Sequence, residues 1–108
     1  MAVLTIQRLT SAGLTPSFAA ADVAGDKFAN NGRTLLVVKN GSASPVTVTV
    51  NSQRKCDQGF DHDVTVEVPA GSERWIGPLD PARFNNASGQ VEVAYSAVAS
   101  VTVAAVQL

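Results

Sequence analysis

Apolar and polar residues alternate with a period of two through much of this chain, in short runs separated by turn residues. Residues 46–50 read Val-Thr-Val-Thr-Val and residues 64–68 read Val-Thr-Val-Glu-Val. Alternation of this kind places one face on a core and the other in solvent, the pattern of a half-buried strand. The two runs are expected to pair with each other across a loop at residues 51–63. Val91, Val93 and Tyr95 face one way in a later strand. Residues 35–38, Leu-Leu-Val-Val, form a continuous apolar run between two Asn-Gly turns, which predicts a central strand buried on both faces. Residues 98–108 are likewise apolar on both sides, so this strand is expected to be central or covered by another subunit.

Shorter signals fill the remainder. Residues 3–9 are expected to form the first strand, residues 15–20 a second, and a third centres on Phe28 and ends at Asn30-Asn31-Gly32. Residues 72–76 predict a strand closed by Gly77-Pro78, and residues 78–86, with two prolines and no sustained period, predict a loop. About eight short strands joined by turns predict an all-β single domain over residues 1–108, an antiparallel β-sandwich (jelly-roll-like) or small barrel. The valines at 46, 48, 50, 64, 66, 68, 91 and 93 are expected to share its core.

Composition agrees and narrows the function classes. Valine and alanine occur 16 times each and threonine eight times, against three glutamates and three lysines. β-Branched residues fit a pleated surface, and strong helix formers other than alanine are scarce. Eight basic and nine acidic residues give a net charge of −1, which offers no field for general binding of nucleic acid or membrane. The single Cys56 excludes an intramolecular disulfide. Residues 1–9 lack the basic start of a signal peptide, and no apolar stretch approaches the ~18 residues of a membrane span, so synthesis in a cytoplasm is expected.

Candidate chemistry concentrates in the loop at residues 51–63, NSQRKCDQGFDHD, which holds the only Cys, the only His and three of the six Asp residues. Asp57, Asp61, His62 and Asp63 are potential ligands, but a zinc site wants four ligands at recognisable spacing and a calcium loop a longer series of oxygen donors. Cys56 and His62 lack a third group to orient them as a nucleophile–base pair. No catalytic residue, metal ligand set or cofactor site is therefore assigned, and the chain is expected to be non-enzymatic. The loop suits partner recognition instead: Arg54, Lys55 and Asp61 supply mixed charge around Phe60. Trp75, in Glu73-Arg74-Trp75-Ile76, is read as core or subunit contact. Asn40-Gly41-Ser42 and Asn86-Ala87-Ser88 match the glycosylation pattern by chance.

Three segments together resemble one family: FANNGRTLLVVKNGSASPVTVTV at 28–50, VTVEVPAGSERWIGP at 64–78 and ARFNNASGQVEVAYSAVASVTVAAVQL at 82–108. The most telling elements are the N-x-G-R-T turn at 30–34, VKNGS at 38–42 and the VPAG…IGP stretch. On these the chain resembles small virion proteins of tailed bacteriophages, the capsid decoration (cement) proteins. The charged loop at 51–63 departs from that pattern. The resemblance implies a non-enzymatic structural protein on the virion, bound to the capsid exterior through the major capsid protein and self-associated into a small homo-oligomer. It implies no cofactor and no catalytic residue, and the near-neutral charge is the ground for expecting no nucleic acid and no membrane as partners. A neck, connector or tail component, and a free carbohydrate-binding sandwich, are the alternatives.

Overall fold

Ten strands and a one-turn helix build the domain in a computed structural model that describes residues 2–53 and 63–108. The strands are β1 (Ala2–Val3), β2 (Ile6–Arg8), β3 (Ala19–Ala20), β4 (Asp26–Ala29), β5 (Thr34–Asn40), β6 (Val46–Val50), β7 (Val64–Val68), β8 (Glu73–Ile76), β9 (Gln90–Tyr95) and β10 (Val101–Gln107); the helix α1 (Pro81–Phe84) lies between β8 and β9. One sheet runs in the order β1-β4-β9-β6-β7, the other β2-β10-β5-β8 with β3 beside β10. The thinnest dimension, 20 Å, is that of two sheets stacked about 10 Å apart plus their outward side chains.

The alternating valines set the register as the pattern predicts. Val46, Val48 and Val50 pair with Val68, Val66 and Val64, so all six share one face. That face meets Phe28, Val91 and Val93 from its own sheet, and Leu36, Val38, Val101, Val103 and Ala105 from the other. Val64 and Val66 are only partly buried, because β7 is an outer strand with no neighbour on its far side among the described residues. Strands β5 and β10 are central in the second sheet, as their two-sided apolar character requires.

The outward side chains of that pair, Val37, Ala104 and Val106, form a second buried cluster. Their cover comes from within the chain and not from another subunit: Leu14 and Phe18 of the segment between β2 and β3 lie over them. The Gln7 amide fastens this strap as a strand neighbour would. Its Nε2 donates to the Ser17 carbonyl and its Oε1 accepts the Ser17 N–H, both at 2.7 Å.

Three expectations are corrected by the structure, and a fourth is narrowed. Residues 3–9 are not one strand: β1 lies parallel to β4 in the first sheet and β2 parallel to β10 in the second, so both sheets are mixed and not purely antiparallel. The switch occurs where Leu4 turns into the core while its N–H donates to Lys27. Residues 15–20 contribute only Ala19–Ala20 as strand; Pro16 has no N–H to give a ladder, and the rest is strap. The expected loop at 78–86 contains α1, capped by the Asp80 carboxylate on the Ala82 N–H with Pro81 in the first turn, and it buries Phe84. Finally, of the two readings of Trp75, core or subunit contact, its exposure removes the first.

Because Phe28 is wholly enclosed between the sheets, Phe28→Ala is expected to cost about 3–5 kcal/mol, read by urea or thermal denaturation. Val48→Asp, an unpaired carboxylate at the centre, is expected to abolish the cooperative transition, whereas Val66→Asp at the open edge leaves a folded domain. Equal effects at 48 and 66 would contradict the assignment of β7 as an edge.

Candidate partner-binding surface

On the outer face of the second sheet, Trp75 is 52% exposed. Glu73 and Trp75 are two residues apart on β8 and therefore project to the same side, opposite Lys39 and Val37 of β5. The indole Nε1–H donates to Glu73 Oε2 at 2.9 Å, which holds the ring in one orientation. Glu73 Oε1 in turn lies 3.8 Å from Lys39 Nζ, and that ammonium sits over the Phe18 ring, 4.1 Å from its centroid. Half-exposed charges of this kind contribute at most about 1 kcal/mol of stability. Their consequence is positional: strap, central strand and edge strand meet in one patch with an aromatic at its margin.

Of the five residues expected to contact partners, Trp75 is the one the structure describes; Arg54, Lys55, Phe60 and Asp61 lie outside the described residues, with Cys56, Asp57 and His62. The base of their loop is firmly built. Ser52, 4% exposed, has its N–H bonded to Asp63 Oδ1 at 2.7 Å, and the Gln53 N–H reaches the Arg83 carbonyl of α1 at 2.9 Å. Asp63, considered above as a potential metal ligand, thus closes the loop. Among the described residues no three His, Cys, Asp or Glu side chains gather closely enough to hold a metal ion.

The turn motifs that carry the family resemblance prove to be structural devices. Asn40, 2% exposed, accepts the Ser42 N–H and hydroxyl on Oδ1 while its Nδ2 donates to the carbonyls of Ser44 and Val68, joining the two sheets. Its amide is fully engaged and enclosed, so the glycosylation match there is incompatible with the fold. Asn30 does similar work, accepting from Gly32 N–H and donating to Leu79 and Asn85. At Gly77, φ is +136° and a Cβ would stand 2.7 Å from Leu35 Cδ2, so the stretch that ends in Ile-Gly-Pro requires glycine at that point.

A cleft of about 390 Å3 opens between the strap and β10, lined by Val3, Leu4, Gln7, Phe18 and Ala104. The Gln7 amide is already committed to Ser17, and the lining carries no charged group. On the first sheet the Tyr95 hydroxyl donates to Asp26 Oδ2 at 2.7 Å, and Asp26 is fully buried with no partner for Oδ1 among the described residues. The sequence pattern places Tyr95 on the valine face without indicating this partner; Asp26 was legible only as a strand residue.

Burial, and then the hydrogen bond and charge of Asp26, push the Tyr95 hydroxyl well above the usual tyrosine range. An unfolded tyrosine ionises near pH ~10. Above that pH the unfolded chain releases a proton that the native chain retains, so this contribution to stability is present below about pH 10 and falls as pH rises further. Tyr95 is the only tyrosine. Tyrosinate absorbance of the native protein is therefore expected to appear only with alkaline unfolding, and Tyr95→Phe to flatten the decline in melting temperature above pH ~10. A normal native titration would contradict the buried pair. Compared with family models, curated proteins and solved structures, the chain matches none.

Proposed function

We propose that this protein is a non-enzymatic structural component of a tailed-phage virion, which decorates and stabilises the capsid exterior by binding the major capsid protein and associating with its own copies. The observation that carries the reading is Trp75. A tryptophan half exposed to solvent, yet oriented by its hydrogen bond to Glu73 on the same strand, has less conformational freedom to lose when a partner covers it. The surrounding Lys39 and Glu73 supply a polar rim of both signs. The turn motifs at 30–34, 38–42 and 68–78 support the reading through their resemblance to decoration proteins. Repeated modest contacts around the symmetry axes of a shell add up by avidity, so no single contact has to be tight.

Trp75→Ala is expected to lower the melting temperature only modestly, since the residue is half exposed, and to weaken binding to undecorated capsids by tenfold or more. Replacing residues 54–62 with a short Gly-Ser linker, which retains Ser52, Gln53 and Asp63, is expected to weaken binding likewise while the domain stays folded. Quantitative mass spectrometry of purified virions decides the placement. Hundreds of copies support capsid decoration; about a dozen would assign the protein to the neck or tail, and none would remove the virion reading.

A further inference from the structure

Strand β7 is the outer strand of the first sheet among the described residues, and its sequence allows it to pair with its own copy. The hydrogen-bond phase of the first sheet shows which of its backbone groups are free. Ser96 N–H donates to the Thr47 carbonyl, Thr47 N–H to Ser96 Oγ, and Asn51 N–H to the Glu92 carbonyl, so the odd-numbered residues of β6 face β9. By alternation, Val46, Val48 and Val50 face β7 and engage their register partners Val68, Val66 and Val64. The N–H and C=O groups of Thr65 and Glu67 therefore point away from the sheet, and no strand among the described residues meets them.

We infer that this edge pairs antiparallel with β7 of a second copy, about a two-fold axis through Val66. In that register Thr65 faces Glu67 of the partner and Glu67 faces Thr65, which makes two hydrogen-bonded pairs flanking a close Val66–Val66 contact. The single charge on the strand, Glu67, meets a threonine and not its own copy, so no like charges stand directly opposed. On the core face Val64 meets Val68. Val64 and Val66 are core-facing valines of β7 that are only partly buried, and the second copy's valines would extend the same apolar face across them.

Of the usual protections of an edge, these five residues carry one charge and little else. There is no proline or lysine within them, and their unbroken five-pair register with β6 leaves no bulge. The pairing joins the first sheets of two copies into one continuous ten-stranded sheet. It deepens the self-association proposed above by naming its surface, and it is measured without capsids, so its failure is distinct from failure of capsid binding at Trp75.

Sedimentation over a range of concentrations, with hydrogen exchange on the same samples, tests the pairing. The expected result is a monomer–dimer equilibrium in which the amides of Thr65 and Glu67 gain protection as concentration rises. Thr65→Glu places a carboxylate opposite Glu67 twice per dimer and is expected to weaken association roughly tenfold with the monomer's melting temperature unchanged. Combining it with Glu67→Lys restores opposite charges in both pairs and is expected to restore the dimer. A monomer at every concentration would overturn the inference. So would a dimer indifferent to Thr65→Glu, or one that the double variant fails to restore.

Discussion

Two central strands that are apolar on both faces govern this structure. β5 and β10 must be covered twice, once by the first sheet and once from outside. The inner cover is ordinary sandwich packing. The outer one has no third layer to draw on, so the segment between β2 and β3 is laid across it, with Leu14 and Phe18 as the apolar contacts. A strap of this kind has to be fixed at a point where it makes little regular ladder, and the Gln7 amide does so by imitating the backbone of a neighbouring strand. The surface chemistry follows from this arrangement. Phe18 lies on the sheet because it covers it, Lys39 stacks on Phe18, Glu73 faces Lys39, and Trp75 is oriented by Glu73.

The strands that were legible in the sequence are those whose burial differs sharply between faces or is complete on both. Val46–Val50 and Val64–Val68 announce their pairing by alternation, and Thr34–Asn40 its central place by continuous apolarity. Near the start of the chain the same reasoning fails for a physical reason. Residues 2–8 are divided between two sheets, and each portion is too short for a period to register. The helix α1 is a single turn, so its signal lies in the Asp80-Pro81 cap and not in any periodicity.

The candidate surface was legible in one respect. The spacing of Glu73 and Trp75 places them on one face of a strand, but which face, and what lies across it, depends on the second sheet's long-range pairing. Phe18 reaches Lys39 from 21 residues away through the strap, a contact no local pattern encodes. The buried Asp26–Tyr95 pair is of the same sort, since its partners are brought together only by the β4–β9 ladder. Motifs made of asparagine and glycine, by contrast, act within a few residues of themselves, which is why they stand out in a sequence whatever the protein does.

The parallel pairing of Ile6–Arg8 with Ala105, Val106 and Gln107 also dictates an order of events during synthesis. The first sheet's β4, β6, β7 and β9 have all emerged from the ribosome before the second sheet acquires β10, the strand on which β2, β3 and β5 all converge. Until residues 101–107 are released, β5 has one partner, β8, and the strap has no cluster to cover. Folding of that half therefore waits for β10 and is dominated by contacts of high sequence separation, which places it among the slower β topologies. In the interval Leu14, Phe18 and the apolar face of β5 are exposed together in the nascent chain, and it is during that interval that a chaperone would find its binding site.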